Sequence, residues 1–208
     1  MILFDDSVYT IIQVQVAAAI VTKEKKATVC EELNALNDQY RMLKYSVDEA
    51  GNVLLTFSST ACDGAQLKKY REETLARAIL VHDALWESGY LTGDMTQYEL
   101  ARAYYVWLCN NCVYDEGTVS SSSLSHLAYS ALVDGVAVCD GYTGAYDLLL
   151  RLEGIECTAL MNADHIWTVA ELDGKTYHID TTWGDQGTRV DMSFFGMTEA
   201  QSRAKHAW

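Results

Sequence analysis

Three residues in the second half of the chain, Cys139, His165 and Asp180, have the types needed to attack an amide carbonyl. A thiolate adds to the carbonyl carbon, and the leaving nitrogen must then be protonated. An imidazole can take and return that proton near neutral pH, and a carboxylate on its far nitrogen fixes its tautomer and orientation. Singly, each residue has an ordinary reading: a buried inert cysteine, a satisfied sheet histidine, a strand-end carboxylate. The set carries chemistry only if the chain folds the three together.

The element that must present the thiol is a helix. Gly135-Val136-Ala137-Val138-Cys139-Asp140-Gly141-Tyr142 leads into a helical pattern over 143–153. Tyr142, Ala145, Tyr146, Leu149 and Leu152 form one apolar face, and Cys139, three residues before Tyr142, points the same way. A cysteine at a helix start meets unpaired N–H groups and the positive end of the dipole. These are expected to lower its pKa, and the same N–H groups can hold an oxyanion.

The elements that must present the base and its partner are strands. Glu156–Met161, His165–Leu172 and Lys175–Thr182 read as three, the last two joined by Asp173-Gly174, a pair suited to a two-residue type I′ turn. That turn sets Leu172 opposite Lys175, Ala170 opposite Tyr177, Trp167 opposite Asp180 and His165 opposite Thr182. His165 and Asp180 then share a face as diagonal neighbours roughly 7–8 Å apart, within reach of a hydrogen bond. Trp167 is placed to shield the pair from water. The other face, with Ile166, Ala170, Leu172, Tyr177 and Ile179, is expected to pack into the core, leaving the His165, Trp167, His178 and Asp180 face functional. A turn longer by one residue would put His165 and Asp180 on opposite faces.

Elsewhere, Val8–Val16 reads as a strand and Thr28–Tyr40 as a helix. Tyr40–Tyr45 and Val53–Ser58 flank a hairpin signal. Helical patterns run over Gln66–Ser88, Thr96–Cys112 and, more briefly, Leu124–Val133, with a serine-rich loop over Asp115–Ser123. Cys109-Asn110-Asn111-Cys112 falls at a helix end without a second ligand pair, so core or helix-end thiols are preferred over zinc or redox chemistry. If Cys139 is catalytic, five cysteines remain, an odd number that points to reduced thiols. A net charge of −14 over 208 residues disfavours nucleic acid and anionic membrane surfaces. No stretch has the length and apolarity of a membrane span, and no basic segment of signal-peptide type leads the chain.

The stretches Ala131–Tyr146, His165–Trp167 and Tyr177–Asp185, with the ending Ser193–Trp208, resemble the transglutaminase-like superfamily, thiol enzymes with a papain-related core. The resemblance runs from roughly residue 98 to 208, and the ending resembles the closing segment common in bacterial members. It implies an α+β fold of the papain-like cysteine-proteinase type, with the nucleophile helix packed on an antiparallel sheet, in a catalytic domain over 95–208. Residues 1–94 are then a mixed helix and strand extension. Carried over by position, Cys139, His165 and Asp180 are the triad. Tyr114 and Trp107 stand where the family can supply an aromatic donor to the oxyanion, Tyr114 preferred, and Trp167 and Tyr142 are further cleft candidates. Thr168 stands where many members have Asn. Nothing resembles the calcium sites of animal transglutaminases, so neither metal nor cofactor is expected.

Two classes of function follow. One is a thiol enzyme working through a thioester on Cys139, resolved by water in a peptidase or amidase, or by an amine in a crosslinking acyl transferase. Hydrolysis of peptide, protein or cell-wall-like amides is preferred, following the bacterial look-alikes. The other is a binding module that keeps the fold without turnover. The resemblance leans towards the cell surface, whereas the cysteines lean towards a reducing compartment.

Overall fold

The computed structural model describes residues 2–6, 9–17, 43–47, 53–59, 64–117, 124–162 and 164–206. The expected helix over Thr28–Tyr40 and most of the serine-rich loop lie outside them. The chain divides into two compact units, Met1–Lys69 and Tyr70–Trp208, the second starting ahead of the expected boundary after residue 94.

The first unit holds an antiparallel sheet of β1 (Ile2–Asp6), β2 (Tyr9–Ala17), β3 (Leu43–Val47) and β4 (Val53–Ser59), in the order β1-β2-β4-β3. The expected hairpin is β3–β4, with Val47 opposite Val53. Strand β1, which the sequence reading did not single out, pairs with β2 from Ile2–Gln13 to Asp6–Tyr9.

Helix α1 (Gly64–Glu87) leads into the second unit. There it is tied to the rest by Trp86, whose Nε1 donates to Glu153 at 2.8 Å, and by Arg77, whose Nε donates to the Leu132 carbonyl at 3.1 Å. Helix α2 (Gln97–Asn111) opens on Thr96, whose hydroxyl accepts from Glu99 N while Glu99 accepts from Thr96 N; each covers a donor the helix start leaves open. Short strands β5 (Val113–Tyr114) and β6 (Val136–Ala137) pair in parallel. The segment expected as a plain helix over Leu124–Val133 is a 3-10 turn at Leu124–His126 and a π-helical turn at Ser130–Asp134, ended by left-handed Gly135. The wider π turn lets the chain reach β6 directly.

Helix α3 (Cys139–Leu152) is the centre of this unit. Tyr142, Ala145, Tyr146 and Leu149 are fully buried, the stripe read from the sequence. Tyr146 donates its hydroxyl to the Ala101 carbonyl of α2 at 2.8 Å. The helix lies on an antiparallel sheet of β7 (Cys157–Met161), β8 (Ile166–Leu172) and β9 (Lys175–Ile179), in that order. Two side-chain bonds stitch helix to sheet. Thr143 donates to the Ile166 carbonyl at 3.2 Å, and Thr168 donates to Asp147 at 2.6 Å. Thr168 is thus a buried anchor of α3. Burial pushes the Asp147 carboxyl up, against the Thr168 hydroxyl and Arg151, which pull it down.

The first turn of α3 needs glycine. A Cβ on Gly141 would lie 2.5 Å from the Ser125 carbonyl oxygen, 2.8 Å from Ala137 Cβ and 2.9 Å from the Leu127 carbonyl oxygen. Backbone carbonyls cannot swing aside as a side chain would. Gly141→Ala is therefore expected to cost about 1–3 kcal/mol of stability, seen as a lowered Tm. An unchanged Tm would mean that the helix start can shift freely.

Candidate active site

Cys139 is the first residue of α3, delivered by β6 through Val138, whose N–H donates to the Ser125 carbonyl at 2.9 Å. The N–H groups of Asp140 and Ile166 lie against its sulfur and favour the thiolate. Ile166 follows His165, so the backbone at the start of β8 that carries the imidazole reaches the start of α3. The expected low pKa does not appear. Burial pushes the Cys139 thiol up to about 11, the Asp140 carboxylate adds to this, and the two N–H groups only partly offset it. Desolvation of a mostly covered sulfur outweighs the helix start.

The turn that brings His165 to Asp180 forms as read. Asp173 and Gly174 take φ of 52° and 74°, and the pairs Leu172–Lys175, Ala170–Tyr177 and Thr168–Ile179 follow. The Asp173 carboxylate also accepts from Gln97 N and Tyr98 N, fixing the hairpin tip on the start of α2. The third strand is shorter than expected. It ends at Ile179, and Asp180 becomes the N-cap of a short helix α4 (Thr181–Gly184), with Oδ1 accepting from Thr182 N and Trp183 N at 3.0 Å each. Capping turns the other carboxylate oxygen towards His165, whose Nε2 donates to Asp180 Oδ2 at 2.8 Å. His165 Nδ1 has no hydrogen bond among the described residues.

The face expected to be functional is covered by a further helix. Helix α5 (Glu199–His206) packs over it and brings His206, fully buried, to the same oxygen: His206 Nε2 lies 2.8 Å from Asp180 Oδ2. The Trp183 ring stacks on both imidazoles, 4.5 Å from His165 and 4.6 Å from His206 between centroids, at 11° and 8°. Trp167 stacks on His206 at 4.2 Å and lies 6.1 Å from His165. Its Nε1 donates to His178 Nδ1 at 3.1 Å, so His178 carries its proton on Nε2, and burial lowers its pKa. For Asp180, burial alone would raise the pKa, but hydrogen bonds from His165 and His206, the His165 charge and the Trp183 N–H outweigh it, and the carboxyl sits below its ordinary value.

The remaining candidates are placed apart. Tyr114 lies on β5 opposite Ala137, two residues before Cys139, and is exposed. Burial of its hydroxyl, and then the nearness of Cys139 and Asp140, raise its pKa, so the phenol is within electrostatic reach of the thiol. Trp107 packs against the core. Tyr142 is fully buried, with its hydroxyl donating to Asp185 at 2.6 Å. Cys109 and Cys112 are buried free thiols at the end of α2, Cys109 donating to the Thr181 carbonyl at 3.3 Å.

The sequence reading gave no role to Trp183 and His206. A signal for His206 was present: α5, Glu-Ala-Gln-Ser-Arg-Ala-Lys-His, has no large apolar residue, so what it buries must be polar. Its buried residues are Ser202 and His206, one turn apart. His165, Asp180 and His206 converge to within 4.8 Å. The 2.8 Å separations are those of hydrogen bonds, with a proton between each pair.

Residues 86–208 match the family described as the Transglutaminase-like superfamily, and the chain belongs to it. It is also similar to the kyphoscoliosis peptidase of Homo sapiens, 25% identical over 122 residues, covering 50% of this chain and 18% of that protein. The Mus musculus protein of the same name is 25% identical over 103 residues, covering 41% and 16%. The chain therefore matches less than a fifth of the length of these relatives. Among solved structures, one titled as a TGase aligns over 94% of this chain and 55% of its own, at 17% identity and a TM-score of 0.46.

Proposed function

We propose that this chain is a cysteine peptidase or amidase in which Cys139 is the nucleophile, His165 the general base and then acid, and Asp180 the residue that orients His165. The observation that carries the reading is the buried 2.8 Å bond from His165 Nε2 to Asp180 Oδ2; it leaves Nδ1 free of that carboxylate, and the N–H of the next residue, Ile166, lies against the Cys139 sulfur. With the thiol pushed up to about 11, the resting form is the neutral thiol. Proton transfer to His165 Nδ1 then accompanies attack on the carbonyl. The Cys139 N–H at the start of α3 and the Tyr114 hydroxyl are suited to receive the oxyanion. Collapse of the tetrahedral intermediate passes the proton from His165 to the leaving nitrogen and forms a thioester. Water, deprotonated by His165, then releases the acid. The peptidase name of the relatives supports water as the acceptor and a peptide or protein as substrate.

The test is alkylation of the native protein with iodoacetamide, with the modified cysteines mapped by mass. Cys157 serves as an internal control, because burial pushes its thiol up to about 11 as well, while its sulfur lies against the Asp147 carbonyl at 3.5 Å and the proposal gives it no base. Cys139 is expected to react first and to lose that lead in His165→Ala. Equal reactivity of Cys139 and Cys157, or a lead that survives His165→Ala, would sink the reading.

A further inference from the structure

We propose that His206 is a positioning residue of the triad: its Nε2–H occupies the second acceptor direction of Asp180 Oδ2, so that the carboxylate, and through it His165, keeps one orientation. The inference rests on the triad reading above and extends it to a residue in a fourth element.

The hydrogen-bond inventory of Asp180 carries the argument. Oδ1 is filled by two backbone N–H groups of α4, and Oδ2 by the two imidazoles at 2.8 Å each. The two rings are parallel to within 6°, with centroids 5.8 Å apart, so both present Nε2 to the one oxygen from a shared orientation. Without His206, Oδ2 would be held by His165 alone, and the pair could swing together. His206 is itself fixed: with Nε2 donating to Asp180, its Nδ1 accepts from the Ser202 hydroxyl at 3.3 Å, and its ring stacks on Trp167 and Trp183. Its backbone carbonyl accepts from Asn162 Nδ2 at 2.7 Å, while Asn162 Oδ1 accepts from His165 N at 2.8 Å. One asparagine thus ties both histidine backbones.

Packing alone is a poor reason for an imidazole here. A phenyl ring would fill the gap between two indoles without burying polar nitrogens, which carry a cost unless hydrogen-bonded. The titratable groups around this cluster are few. Cys139, Cys109 and Tyr105 feel Asp180, and His178, whose titration also feels Glu199 and Arg203, feels His206.

Gln at position 206 can keep a donor where Nε2 lies, whereas Phe keeps the ring and removes the donor. In iodoacetamide kinetics at neutral pH, His206→Phe is expected to slow alkylation of Cys139 roughly tenfold. His206→Gln should stay within about threefold of the parent. Packing would give the reverse order, and His206→Phe equal to or faster than the parent overturns the inference. Faster alkylation would mean that sharing of the Asp180 charge outweighs orientation. If the parent thiol shows no selectivity, the triad reading fails first. If it is selective and depends on His165, yet is indifferent to position 206, only this inference fails.

A second measurement covers a variant that does not fold. Proton NMR of the parent should show two imidazole N–H resonances downfield of the amides. One should survive in His165→Ala, and both should move in Asp180→Asn. Loss of both signals in His165→Ala would overturn the inference.

Discussion

Replacing Asp180 by alanine is expected to abolish turnover and to destabilise the fold together. The carboxylate accepts four hydrogen bonds, two from α4 and two from buried imidazoles, and it is fully buried. Its removal uncaps α4, worth about 1 kcal/mol, and leaves two buried donors without an acceptor; breaking a buried pair of this kind typically costs about 3–5 kcal/mol. That is a large share of the stability of an ordinary domain. Asp180→Asn separates the two effects, because it keeps the cap yet presents an N–H or a weaker acceptor to the histidines. It is expected to fold with a reduced Tm and to lose on the order of 10⁴ in kcat, through the wrong imidazole tautomer. An asparagine variant as active as the parent would remove Asp180 from the mechanism. The depressed pKa adds a pH signature. A carboxyl lowered by folding contributes stability above its unfolded value, near 4, and loses it as pH falls through the lower folded value. Acid unfolding of Asp180→Asn should lack that contribution.

Cys139→Ala is expected to reduce turnover by about 10⁶ while leaving the fold nearly unchanged. Among the described residues the thiol donates to no acceptor, and the N–H groups of Asp140 and Ile166 serve its ionised form. Alanine keeps the helix start, so Tm should move little. The check is product release from a peptide library, read by mass spectrometry, together with the intact mass of the protein during turnover. An acyl adduct should appear on the parent and be absent from the variant. Residual activity above about 1% would require another nucleophile and end the thioester mechanism.

How much of this could be read from the chain depends on the range of the interactions. Asp173-Gly174 specifies its own turn by backbone conformation, and the register from Leu172 to Thr168 follows from it. The apolar stripe from Tyr142 to Leu149 specifies the buried face of α3 in the same local way. What failed was set either by a local capping competition or by groups distant in sequence. Strand β9 stops at Ile179 because Asp180 caps α4, a competition that alternating hydrophobicity does not register. The Cys139 thiol rises because the fold covers it, whereas a helix start alone implies the opposite. His206 reaches Asp180 from 26 residues away through a helix whose buried side is polar, so no hydrophobic period announces it.

The indole of Trp183 lies flat against His165, which matters most when that ring is charged. In the proposed mechanism, taking the thiol proton would turn His165 into a cation over an aromatic face, an attraction absent from the neutral resting state and worth about 1–2 kcal/mol in a desolvated site. Trp183 thus shifts the balance towards the thiolate–imidazolium pair at the moment it is needed. A flat hydrophobic lid becomes an electrostatic participant, and the cost of ionising a buried sulfur is partly met by the ring beside its base.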